Sequence, residues 1–145
     1  MTASFVDTNI LIYAHDADAG EKHRLAKELI SDLWESGAGV LSTQVLNEFY
    51  VNITRKIPTP LEPASARSVI EPYLTWTIVS PEPSSVLHAS EIQQRYQLSY
   101  WDALIVHAAA ISRAAVLYSE DLNEDQLMEG VRVVNPVSGP AVHDL

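Results

Sequence analysis

Short apolar runs alternate with longer stretches of helical period along this chain, and that alternation limits the fold more than any other feature. The apolar runs fall at residues 3–6, 40–41, 75–79, 116–118 and 131–134. Between the first two, Leu25, Leu29 and Leu33 recur every four residues, with Ala26, Ile30 and Trp34 beside them, which predicts an amphipathic helix over residues 21–36 closed by Gly37. Ser42 or Thr43 is expected to cap a further helix running to about Lys56, with Leu46, Phe49, Tyr50 and Ile53 on its buried side. Short helices are expected over residues 10–13 and 64–73. Ser84 or Ser85 should cap one that ends at Tyr96. A clear helix opens at Ser99, its inner side read as Trp101, Leu104, Ile105, Ala108 and Ile111. Residues 123–128 read as a short helical turn. Strands that alternate with helices require right-handed crossovers, so the expected class is α/β, a parallel sheet between helical layers. At 145 residues, with no repeat and only a stiff Pro58–Pro63 connector inside, residues 1–145 are read as one domain.

Composition removes several classes of chemistry. The chain has no cysteine, so disulfides, thiolate zinc sites and thiol nucleophiles are excluded, and a cytoplasmic protein is expected. The start carries no positive n-region and no apolar run approaches about 18 residues, so neither a signal peptide nor a membrane span is expected. The formal charge is −10, which rules out nucleic-acid binding by bulk attraction. A polyanion would have to be met through metal ions or a local basic patch. No Gly-rich phosphate loop and no Gly-x-Ser-x-Gly elbow is present, and the five histidines show no metal spacing. His107, within an alanine-rich helix, reads as structural.

Four acids remain. Asp7 follows the first strand directly, and Asp121 follows the 116–118 strand within a few residues. Glu48 lies about one turn into the helix that leaves the second strand, and Asp102 sits in the first turn of its own helix. In an open α/β sheet, ligands bind beyond the carboxyl ends of the strands, where Asp7 and Asp121 stand. Each acid also has a local role open to it. Asp7 suits a helix cap, and Asp102 pairs with Ser99 in a capping box. Glu48 shares a polar face with Gln44, Asn52 and Arg55, and Asp121 suits a turn. Brought together, such carboxylates repel one another unless a cation is present, and hard oxygen donors without His or Cys select Mg²⁺ or Mn²⁺. Such ions activate water and clamp a phosphodiester for in-line displacement.

At these residues the chain resembles the PIN-domain ribonucleases, most closely the VapC-type toxins of bacterial toxin–antitoxin pairs. The resemblance rests on an ordered set of motifs along nearly the whole chain. These are Phe5-Val6-Asp7-Thr8-Asn9-Ile10-Leu11, Val45-Leu46-Asn47-Glu48-Phe49, Tyr100-Trp101-Asp102-Ala103, Leu117-Tyr118-Ser119-Glu120-Asp121-Leu122 and Gly130-Val131-Arg132-Val133-Val134-Asn135-Pro136. It implies a PIN-like fold with a five-stranded parallel sheet of order 3-2-1-4-5. It implies catalytic, metal-binding acids at Asp7, Glu48, Asp102 and Asp121, supported by Thr8, Asn9 and Ser119. The activity implied is Mg²⁺- or Mn²⁺-dependent hydrolysis of RNA, with a homodimer and a small antitoxin as partners. Lys22, Arg24, Lys27, Arg55 and Lys56 are candidate RNA contacts, and Leu11, Tyr13, Leu46 and Tyr50 candidate antitoxin contacts. Asp125 departs from the family pattern, which often has Gly there, as does Val137, where an aromatic often follows Asn-Pro. The alternatives are a non-catalytic PIN-like binding module and a stand-alone PIN nuclease of RNA processing. Dehalogenase-type and response-regulator readings fail, the first because Asn9 stands where a second Asp is needed, the second for want of a late lysine.

Overall fold

The computed structural model describes residues 2–138. In chain order its elements are β1 (Ser4–Val6), α1 (Thr8–His15), α2 (Glu21–Ser36), β2 (Gly39–Ser42), α3 (Thr43–Val51), α4 (Pro63–Ile70), β3 (Thr77–Val79), α5 (Ser85–Tyr96), α6 (Tyr100–Ile111), β4 (Val116–Tyr118), β5 (Leu127–Met128) and β6 (Val131–Val134). The sheet order is β3-β2-β1-β4-β6-β5. The first five of these strands are parallel, and only β5 runs antiparallel, against β6. The α/β class and the five parallel strands match the expected order 3-2-1-4-5. The sixth strand does not, and it replaces the helical turn expected over residues 123–128. Glu129 and Gly130 both take positive φ, 53° and 82°, the geometry of a two-residue hairpin turn. That turn folds Leu127–Met128 back onto β6, so the Asn123–Gln126 side-chain contact closes a turn rather than a helix.

The right-handed crossovers from β1 to β2 and from β2 to β3 put α1–α4 on one face of the sheet, and the return from β3 to β4 puts α5 and α6 on the other. Phe5, Val6, Leu41 and Leu117 on the strands are fully or almost fully buried with Ile10, Leu11, Val45, Phe49 and Ile53 of the first helical layer. Capping follows local chemistry. The Ser42 and Ser99 hydroxyls accept the Val45 and Asp102 N–H groups. Ser84 makes no such bond. Ser85 instead turns its hydroxyl inward, toward the ring of the buried His107 at 3.0 Å.

Two helix faces differ from their sequence reading. On α6 the buried residues are Ala103, Ile105, Val106, His107, Ala108 and Ala109, whereas Trp101 and Ile111 are exposed. The helix is apolar nearly all round, so its period leaves the inward direction open and contacts with the sheet choose it. On α3 the buried residues are Val45 and Phe49, continued by Ile53, with Leu46 and Tyr50 only half-buried.

Asp125 explains one departure from the family pattern. Its φ is +68°, a region that glycine enters freely and other residues enter at a cost. Its backbone N–H still reaches the Val133 carbonyl at 2.8 Å, and its carbonyl accepts from Arg132. Asp125→Gly keeps both bonds and removes the strain, so a gain of up to about 1 kcal/mol is expected in a denaturant melt. Val137, the other departure, is buried in the core.

Candidate active site

Parallel pairing brings the ends of β1, β2 and β4 to one edge of the sheet. The ladder between β1 and β4 runs one residue past the strands, with the Asp7 N–H donating to the Tyr118 carbonyl at 2.9 Å. Asp7 therefore lies beside Ser119, the residue after β4. At the same edge α3 leaves β2 and carries Glu48, and the first turn of α6 carries Asp102. Asp7, Glu48, Asp102 and Asp121 line one open cleft of about 530 Å³, together with Thr8, Asn9, Gln44, Asn47, Asn52, Lys56 and Trp101.

Hydrogen bonds orient three of the four acids. Asp7 accepts from the Thr8 backbone N–H at 2.7 Å and from the Ser119 hydroxyl at 2.9 Å. The Thr8 hydroxyl donates to Glu48 at 2.6 Å, and the Asn9 amide donates to Asp121 at 2.6 Å. Gln44 donates to the other Glu48 oxygen and to the Trp101 carbonyl, both at 3.3 Å. Thr8, Asn9 and Ser119 thus each touch at least one acid of the set.

Burial pushes the Asp7 carboxyl up to about 6 against the bonds from Ser119 and Thr8, and the charges of Asp102 and Asp121 push it further the same way. Asp121 is also raised, by partial burial and then by the charges of Asp102 and Glu120. The cleft is a region where negative charge is crowded. Among the described residues no group of three or more Asp, Glu or His side chains is placed, as the side chains stand, to hold a metal ion. The donor set still fits a hard divalent cation of the Mg²⁺ type, which takes one or two carboxylates, keeps several waters and leaves positions for phosphate oxygens. The cleft supplies oxygen donors and no imidazole or thiolate, so it does not fit a softer metal.

The candidate cations are scattered. Lys56 lines the cleft and is its one cation among the described residues. A wide helical turn over Asn52–Lys56 follows α3 and brings Asn52 and Lys56 to it. Lys22 pairs with Glu120 at 2.5 Å, and Arg24 pairs with Glu21 and Glu28. Lys27 lies against a different concavity, beside His23 and Trp34, and Arg55 is exposed outside the cleft. Of the candidate antitoxin contacts, Leu11 is fully buried and belongs to the core, which corrects its reading as a contact residue. Tyr13, Leu46 and Tyr50 remain half-buried and partly accessible.

Sequence reasoning missed Gln44, Asn47, Trp101 and Glu120. Gln44 was visible one turn before Glu48 on the same face. Glu120 was not: it accepts from Tyr13 at 2.6 Å across 107 positions, and Lys22 and Tyr13 hold its carboxyl low although burial opposes them.

Comparison with known proteins agrees with this architecture. VapC20 of Mycobacterium tuberculosis, a toxin that cleaves the sarcin–ricin loop, superposes with a TM-score of 0.65 at 22% identity, covering 82% of this chain and 90% of that one. A toxin–antitoxin complex from Klebsiella pneumoniae gives 0.67 at 22% identity, covering 92% and 98%. The DNA-bound VapBC complex of Salmonella typhimurium gives 0.64 at 16% identity, covering 92% and 97%. At these identities the likeness is one of fold. A search of the curated proteins returns no match. The PIN domain family model matches residues 4–127, most of the length, and the chain belongs to the PIN domain family.

Proposed function

We propose that this protein is a divalent-metal-dependent endoribonuclease and the toxin of a VapBC-type pair. The observation that carries the reading is the lining of a single cleft by four carboxylates from four separate segments, at the strand edge where α/β sheets bind their ligands. Asp7, Glu48, Asp102 and Asp121 would hold Mg²⁺ or Mn²⁺, which when bound supplies Lewis acidity toward water and the phosphodiester. The chain's own residues do the rest. Ser119 and the Thr8 N–H fix Asp7, and the Thr8 hydroxyl and the Gln44 amide fix Glu48 from opposite sides. Asn9 turns Asp121 toward the cleft. Lys56 offers a cation to a phosphate at the rim. A cysteine-free cleft without histidine leaves a carboxylate as the group that takes a proton there.

The test is RNA cleavage titrated with Mg²⁺ or Mn²⁺ and reversed by EDTA. Single-stranded or loop RNA should be cut to 5′-phosphate and 3′-hydroxyl ends. A 2′,3′-cyclic phosphate product, or cleavage that EDTA leaves untouched, would overturn the mechanism. The partner reading is a homodimer that takes a small antitoxin in a groove between α1 and α3, near Tyr13, Leu46 and Tyr50. Solved neighbours captured as toxin–antitoxin complexes support the antitoxin partner. Purification from the native host without a small companion protein would favour a nuclease that acts alone.

A further inference from the structure

We infer that Trp101 and the apolar groove beside it form a base-stacking subsite, which takes an unpaired nucleobase next to the phosphate held in the acid cleft. The inference rests on the nuclease reading and adds the means of holding substrate. Trp101 stands one residue before Asp102, in the first turn of α6, and is 62% exposed. It is not loosely held. The Tyr100 ring meets its indole edge-on, with centroids 5.3 Å apart and an interplanar angle of 81°. The Gln44 amide that holds its backbone carbonyl also holds Glu48, so the backbone that carries the indole is tied to the acid site.

The groove is lined by Thr43, Asn47, Pro81, Trp101 and Leu104, and it shares Gln44, Asn47, Glu48 and Trp101 with the cleft. The two concavities therefore adjoin, so a nucleoside next to a phosphate held in one would reach the other. Electrostatics gives such a subsite a use. Four acids line the cleft with Lys56 as its one cation among the described residues, and the chain carries −10 overall, so the side chains themselves attract phosphates little. Stacking on an aromatic face is indifferent to net charge and tolerant of sequence. It also requires a base free of its partner, which selects single strands and loops over duplex. The Asn47 amide can both donate to and accept from a base edge, and the Gln44 amide oxygen can accept while its N–H groups hold Glu48 and Trp101, a set suited to a nucleobase rather than to an apolar peptide.

The experiment measures binding of a phosphorothioate-linked oligouridylate, labelled for anisotropy, and of an RNA duplex of equal length, both in Mg²⁺. Tryptophan emission of the protein is followed in the same titrations. The parent should bind the single strand, with quenching that Trp101→Phe abolishes, and should bind the duplex more weakly. Trp101→Phe should keep affinity within a few-fold, whereas Trp101→Ala and Trp101→Leu should each lose about 5- to 150-fold. All three should melt with the parent, since the side chain lies at the surface. Equal affinity of parent and Trp101→Ala overturns the inference while the nuclease reading stands, provided the parent cuts RNA. Leu matching Phe also overturns it, because packing alone would then suffice. So does a parent whose Trp101 emission ignores RNA but shifts on self-association or on adding a co-expressed small partner, since a protein then covers the groove. A parent that neither cuts nor binds single-stranded RNA overturns both readings together.

Discussion

Asp102→Asn is expected to lower RNA cleavage by about a thousandfold or more, the loss of several kcal/mol of transition-state stabilisation, while the metal-free protein stays at least as stable as the parent. The structure separates two roles that the first turn of α6 offers this residue. Ser99 already caps the helix by accepting the Asp102 N–H at 3.1 Å, so the carboxylate is not needed for that bond. Its charge instead raises the carboxyls of both Asp7 and Asp121. Each such repulsion at intermediate dielectric is worth roughly 1 kcal/mol or more, whereas a first-turn acid gains about 0.3–1 kcal/mol from the helix dipole. Relief of repulsion therefore outweighs loss of the dipole contribution. Thermal melts in EDTA should show the variant at or slightly above the parent. Added Mg²⁺ should stabilise the parent by about 2.7 kcal/mol at a hundredfold excess over Kd, and the variant far less. A variant that melts lower in EDTA, keeps its gain from Mg²⁺ and still cuts RNA would make Asp102 a helix-terminus residue only.

Asp7 should give the metal-free protein an unusual pH dependence. Its carboxyl is raised from 3.8 to about 6, chiefly by burial. Between those values the folded protein keeps a proton that the unfolded chain releases. This contribution to stability is therefore complete below about pH 4 and is lost as pH rises through 6. Raising a carboxyl from 3.8 to about 6 corresponds to roughly 3 kcal/mol. Asp121 works in the same direction and Glu120 in the opposite one. Asp7→Asn removes the buried charge, keeps an oxygen for the Thr8 N–H, and lets the Ser119 hydroxyl turn to accept. In EDTA at pH 8 the variant should exceed the parent by roughly 1–3 kcal/mol, and the two should converge near pH 4. The order should reverse in Mg²⁺, which only the parent carboxylate can bind well. Because a proton and the cation compete for Asp7, the Mg²⁺ needed for cleavage should rise about tenfold per pH unit below 6. An Asp7→Asn protein that melts below the parent at pH 8 in EDTA would show that its hydrogen bonds outweigh its burial.

Asp7 and Asp121 were legible in the sequence because a short apolar run followed by an acid says both that a strand ends and which edge it ends at. The same logic gave the five parallel strands, since strands of three or four residues separated by helices can return to one sheet only by crossover. The hairpin strand β5 was hidden, because it depends on positive φ at Glu129, a residue whose type does not announce it. Glu48 and Asp102 were legible only as candidates. A helical acid looks the same whether it faces solvent or a neighbouring helix, and the approach of α3 and α6 to one cleft decides which. Trp101 shows the limit most clearly. On a helix as apolar as α6, periodicity gives no preferred face, and a tryptophan is read as core. Helix–sheet packing turned Ala103, Ile105 and Val106 inward and left the indole at the surface. The Lys22–Glu120–Tyr13 group likewise exists because β1 pairs with β4, which brings together residues about a hundred positions apart. Local chemistry thus determined which segments form elements, where each strand ends and which acids stand there. Tertiary structure decided which faces are buried, which cations the acids already occupy and what lies beside the cleft, because those depend on contacts between segments that no local pattern encodes.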